Sequence, residues 1–89
     1  MAPHDIRHLV SDAPRVMVVD GSKLVRKLIG DVLVRDLPQT QLVACDGLAS
    51  AKAALAEGPV DLVTTALVLP DGTGQEVALI PTAAGQPLQ

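Results

Sequence analysis

The chain has 89 residues, of which 48% are hydrophobic, and a net charge of −3. A chain of this length forms one small domain with a thin core, and that core is aliphatic because the sequence contains no Phe, Tyr or Trp. The negative charge argues against nucleic acid or an anionic membrane as the primary partner, because both are bound mainly through clustered Lys and Arg side chains.

The first half of the chain predicts a strand followed by a helix. Residues 1–14 form a polar segment that we expect to be flexible. The apolar run 16–19 is typical of a strand covered on both faces, as in a parallel sheet. Ser22 is a candidate N-cap for a helix that should end before Pro38. Apolar residues recur along this helix at spacings of three and four: Leu24, Val25, Leu28, Ile29, Val32, Leu33 and Leu37.

Three basic residues of this helix, Lys23, Arg26 and Lys27, lie close together in the sequence. Asp20 and Asp31 flank them. Mixed charges of this kind indicate a solvated helix face.

The second half predicts two further strands separated by a helix. A short strand fits 41–45, an Ala-rich helix fits 48–57, and a third strand fits 60–65. The succession βαβαβ requires a parallel sheet with right-handed crossovers, so the fold class is α/β. Thr73 and Glu76 have capping-box spacing and predict a third helix, which Pro81 ends early. Residues 81–89 have no periodicity and are expected to be a disordered tail.

Two stretches resemble the receiver domain of two-component response regulators. Residues 15–29, which read RVMVVDGSKLVRKLI, are similar to the first strand and helix of a receiver, where two adjacent acidic residues follow the apolar run. Residues 61–74, which read DLVTTALVLPDGTG, are similar to its third strand and the following loop, where an aspartate accepts the phosphoryl group. The resemblance covers residues 15–80.

The resemblance implies a flavodoxin-like, three-layer fold. Receivers have five parallel strands in the order 2-1-3-4-5, and the similarity here covers the first three, which gives a partial domain with the order 2-1-3, truncated after the third strand. In such a remnant the third strand forms an open edge with Leu62, Val63 and Thr65 unsupported. An apolar edge of this kind invites pairing with another chain, including a second copy of this one.

The resemblance also implies a dismantled phosphorylation site. Asp20 matches one acidic residue of the family, Gly21 replaces the other, Ala66 replaces the phosphoacceptor, and Val68 offers only its backbone carbonyl. One carboxylate holds Mg²⁺ weakly at most, so no metal, cofactor or catalytic residue is expected. Asp71 is a surrogate candidate for the phosphoacceptor, although its ordinary role is to favour a turn.

Three functional hypotheses follow from these residues. The first is a pseudo-receiver of a phosphorelay system that acts through phosphorylation-independent protein–protein interaction. The second is a non-autonomous fragment of a response regulator, and the third is a receiver phosphorylated on a surrogate aspartate.

Cys45 is the single cysteine, so no intrachain disulfide forms and a cytoplasmic location is expected. The Cys45 thiol is predicted to pack as a small apolar group.

Overall fold

The computed structural model of the protein describes residues 13–81. The elements in this part of the chain are β1 (Arg15–Val19), α1 (Lys23–Asp36), β2 (Gln41–Cys45), α2 (Leu48–Glu57), β3 (Leu62–Thr65), β4 (Val68–Leu69), β5 (Gly72–Thr73) and α3 (Gly74–Ala78). The predictions of a flexible segment over 1–14 and a disordered tail over 81–89 lie outside the described residues, apart from the positions next to the domain.

The three longer strands form a parallel sheet in the order β2-β1-β3. Met17, in the middle of β1, is in register with Val43 of β2 and Val63 of β3. The predicted α/β class and the predicted strand order are therefore confirmed. β3 starts two residues later than expected, because its ladder with β1 begins at the pair formed by Val16 and Leu62.

The hydrophobic core lies on the face of the sheet that α2 and α3 cover. Its buried members are Met17, Val19, Cys45, Leu48, Ala51, Ala54, Leu55, Leu69, Val77 and Ile80. Successive strand residues point to opposite faces, so Met17 and Val19 enter this core while Val16 and Val18 point away from it. Val63 packs against the same core. The prediction that Val63 is unsupported is wrong, because strand alternation places it on the covered face.

The opposite face is covered by α1 mainly along the central strand. Val16 is buried there, whereas its register neighbours Leu42 and Leu62 are 41% and 46% exposed. Three apolar residues of α1, spaced by four, are also exposed: Leu24, Leu28 and Val32. One helix therefore lies over three strands, and exposed apolar side chains remain on both flanks of this face.

The chain between β3 and α3 forms a small hairpin. β4 and β5 pair antiparallel, with Leu69 opposite Gly72, and Pro70 and Asp71 form the two-residue connection. The sequence predicts a turn at this place, and the hairpin adds two short strands to it. Within residues 13–81, no helix is both long and apolar enough to cross a membrane.

Candidate functional site

The sequence-predicted site residues lie at the carboxyl edge of the sheet. Asp20 follows β1 directly, and its amide donates a hydrogen bond to the Cys45 carbonyl at the end of β2 (3.0 Å). Ala66 follows β3, and its amide donates to the Val19 carbonyl at the end of β1 (2.9 Å). These backbone bonds continue the ladder past the strand ends. The structure therefore brings the residues after β1 and β3 to one edge, where parallel sheets place their ligands.

The Asp20 carboxylate is engaged with the start of α1. Its Oδ1 atom accepts a hydrogen bond from the Ser22 amide (2.8 Å), and its backbone carbonyl accepts one from the Arg26 guanidinium. Ser22 itself caps the helix, because its Oγ accepts from the Val25 amide (3.3 Å).

Gly21 lies against the ring of the hairpin residue Pro70. A Cβ atom at this position would lie 3.0 Å from the Cδ and Cγ atoms of Pro70. A Cβ atom at position 21 would therefore require the proline ring to shift by a few tenths of an ångström.

Ala66 presents a methyl group at the end of β3 and packs against the core. Its carbonyl approaches the start of α3 so closely that a Cβ atom at Gly74 would lie 2.5 Å from it. The Gly74 amide donates to the Leu67 carbonyl (3.0 Å), which holds the loop in this closed form. Val68 pairs with the opposite strand of the hairpin and leaves its side chain 80% exposed, so its side chain contributes no polar atom to the edge.

Asp71 has a structural partner in α2. Its Oδ1 and Oδ2 atoms accept hydrogen bonds from the Leu48 and Ala49 amides (2.6 and 3.0 Å), which are the first two of the helix. These bonds lower the pKa of the Asp71 carboxyl. The N-cap of α2 is Gly47, which has no side chain, so the hairpin supplies the capping carboxylate from 23 residues away.

Gly47 is required for this capping arrangement. A Cβ atom there would lie 2.5 Å from Oδ1 of Asp71. Ser50 completes the cap, because its Oγ accepts from the Asp46 and Gly47 amides (3.1 and 3.2 Å). Sequence reasoning missed the role of Asp71. The available signal was an N-cap glycine, which requires an acceptor from elsewhere in the chain.

The capacity of the carboxyl edge to bind a metal ion depends on its oxygen atoms. Mg²⁺ prefers several acidic oxygens. Asp20 and Asp46 directly follow β1 and β2 at this edge, and the Oδ1 atom of each already accepts a hydrogen bond, from the Ser22 amide and the Ser50 hydroxyl respectively. No group of three or more His, Cys, Asp or Glu residues that could hold a metal ion occurs within residues 13–81.

Cys45 lies at the end of β2 in the core, and burial raises the pKa of its thiol, which disfavours the reactive thiolate. The predicted packing role of Cys45 is confirmed.

Comparisons with known proteins found no match. No family model, no curated protein and no solved structure is similar enough to this chain to identify a relative.

Proposed function

We propose that this chain is a pseudo-receiver: a signalling module of the two-component, phosphorelay type with a flavodoxin-like fold that acts through phosphorylation-independent binding of a protein partner. The proposal treats the chain as a binding module rather than an enzyme. It places the chain in the cytoplasm, in line with the resemblance on which it draws.

The observation that carries the proposal is the placement of Ala66. In a parallel sheet with the order β2-β1-β3, the residue after β3 stands beside the residues after β1. A receiver would use a carboxylate there as its nucleophile. Here a methyl group stands beside one engaged aspartate, Asp20, and a glycine that Pro70 covers. Phosphoryl transfer requires a nucleophile and a metal site, and this arrangement supplies neither.

Asp71 is a poor surrogate nucleophile because both of its carboxylate oxygens already accept hydrogen bonds. A lowered pKa makes the carboxylate a weaker base, and attack on a phosphodonor would remove the cap of α2. The geometry thus favours the turn and capping role of Asp71 over phosphorylation.

The proposal is tested by incubating the full chain with acetyl phosphate and Mg²⁺ and measuring its intact mass. We expect no added phosphoryl group, while a phosphorylatable receiver treated in parallel gains one. A stoichiometric adduct would contradict the proposal. In that case Asp71→Asn and Asp20→Asn would identify the acceptor, because the variant that lacks it would fail to gain the mass.

A second candidate is favoured by the open face of the sheet. Leu28, Val32 and Leu62 are exposed, as expected of a non-autonomous part of a response regulator that needs further elements, or of a chain that dimerises beside β3. Amide correlation spectra at low and high protein concentration separate these cases. Dispersed peaks at both concentrations indicate an autonomous domain, dispersion only at high concentration indicates a homodimer, and collapsed peaks at both indicate a fragment.

A further inference from the structure

A groove of about 800 Å³ runs between α1 and β2, and Arg26, whose guanidinium donates to the Asp20 carbonyl, lines it at the end nearer the carboxyl edge of the sheet. Its apolar floor is made by Val34 of α1 and by Leu42 and Ala44 of β2. Gly30 also lines the groove, and a Cβ atom there would lie 3.0 Å from the Cδ1 atom of Leu42. The helix therefore lies close to β2 at its middle, and the groove is shallow and open to solvent.

The rim of the groove is basic. Four side chains form it, namely Lys23, Arg26, Lys27 and Arg35, and they make up four of the seven Lys and Arg residues of a chain whose net charge is −3. Arg35 lies twelve positions after Lys23, so the positive rim extends about 18 Å along α1. The sequence predicts a solvated helix face at Lys23, Arg26 and Lys27. The structure adds Arg35 to these charges and places all four beside the apolar floor of the groove.

The acidic residues near the rim only partly neutralise it. Lys27 pairs with Asp31 (3.0 Å) and Arg35 with Asp36 (3.5 Å), and all four side chains are largely exposed. Exposed ion pairs of this kind are weak, so an incoming carboxylate competes with them readily. Asp31 is the one acidic residue among those that line the groove.

We propose that this groove binds an acidic, amphipathic segment of a partner protein. The apolar side chains of that segment pack against Val34, Leu42 and Ala44, and its carboxylates face Lys23, Lys27 and Arg35. The proposal deepens the proposed function, on which it rests, by naming a surface and the chemistry of the partner. A charged rim around an apolar floor provides both steering and burial for such a segment.

Nucleic acid fits the groove less well than an acidic peptide. Single strands are bound by aromatic side chains that stack on bases, and the sequence has none. The apolar floor would also face a phosphate backbone without benefit. A titration with a single-stranded oligonucleotide therefore serves to detect nucleic acid binding at the groove.

The test is a titration of the ¹⁵N-labelled full chain with a synthetic helical peptide of about 14 residues, which matches α1 in length. The peptide carries Leu on one face and Glu on the other, and the matched peptide has Gln in place of every Glu. We expect the acidic peptide to shift the amide peaks of Gly30, Val34, Leu42 and Ala44, and the Gln peptide to bind at least about fivefold more weakly. Higher salt should weaken the acidic peptide selectively.

Two charge reversals form a matched pair of variants. Lys23→Glu changes the rim in the first turn of α1, where a negative charge is compatible with the helix dipole. Lys52→Glu makes the same change on an exposed position of α2, outside the groove. We expect Lys23→Glu to weaken the acidic peptide about threefold to tenfold and Lys52→Glu to change binding less than about twofold.

Three outcomes would overturn the proposal: no peak shifts at millimolar peptide, shifts centred away from the groove, or equal effects of the two reversals. A single-stranded oligonucleotide that shifts the groove peaks at lower concentration than the acidic peptide would overturn it in favour of nucleic acid. The result is separable from the phosphodonor test, because a phosphoryl adduct refutes the pseudo-receiver whether or not the groove binds peptide.

Discussion

The structure makes a sharp prediction about which face of the sheet stabilises the fold. Met17 is fully buried among the residues that α2 and α3 cover, whereas Leu28 on α1 is 56% exposed. Truncating a large buried aliphatic side chain to Ala costs about 2–5 kcal/mol. A chain of 89 residues has a total stability of about 4–13 kcal/mol. Met17→Ala should therefore remove about a sixth of the stability or more, and Leu28→Ala should change it by less than about 0.5 kcal/mol.

The assay is urea unfolding followed by far-ultraviolet circular dichroism, because the chain has no aromatic residue to report by fluorescence. With a slope of about 1 kcal/mol per molar urea, Met17→Ala should lower the midpoint by about 2 M or more. Leu28→Ala should lower it by less than about 0.5 M. Met17→Leu conserves volume and should cost less than about 1.5 kcal/mol. Equal midpoint shifts for Met17→Ala and Leu28→Ala would refute the reasoning, because they would show that α1 is covered in solution.

Three further predictions concern the loops and the thiol. The folded-state pKa of Asp71 is lowered, so the stability that its carboxylate contributes is present above the unfolded pKa and is lost as the pH falls through the folded pKa. Asp71→Asn should therefore lower the urea midpoint at pH 7. The difference in midpoint between this variant and the parent chain should vanish at acid pH. Gly21→Asp should destabilise by about 1–3 kcal/mol through contact with Pro70, and adding Pro70→Ala should recover part of that loss in a double-mutant cycle of thermal midpoints. Cys45 should react with a thiol reagent at a rate set by unfolding, and rapid labelling of the native chain at neutral pH would show that it is not buried.

Local patterns predicted the sheet and its helices well. The stripe that starts after Ser22 and stops before Pro38 has the period of a helix, and α1 spans Lys23–Asp36. The 41–45 and 48–57 segments match β2 and α2 because turn residues bound them on both sides. A βαβαβ succession then admits few topologies, and the order β2-β1-β3 is one of them.

The details of the carboxyl edge depend on contacts between distant residues, and local patterns do not report such contacts. Asp71 caps a helix that begins 23 residues before it, and Pro70 covers Gly21 from the hairpin. The exposure of Leu28 is equally non-local, since a helical period shows that a stripe exists and not what covers it. The same limit applies to the basic groove, whose apolar floor combines Val34 of α1 with Leu42 and Ala44 of β2.

The most direct test of the central claim is whether the carboxyl edge responds to a phosphoryl mimic. Amide spectra of the ¹⁵N-labelled full chain are recorded with Mg²⁺ before and after addition of beryllofluoride, which mimics a phosphorylated aspartate. We predict that the peaks of Asp20, Gly21, Ala66 and Asp71 stay in place, because position 66 has no carboxylate and the carboxylates of Asp20 and Asp71 already accept hydrogen bonds from backbone amides. Saturable shifts centred on these residues would contradict the account and identify a receiver that still accepts phosphate.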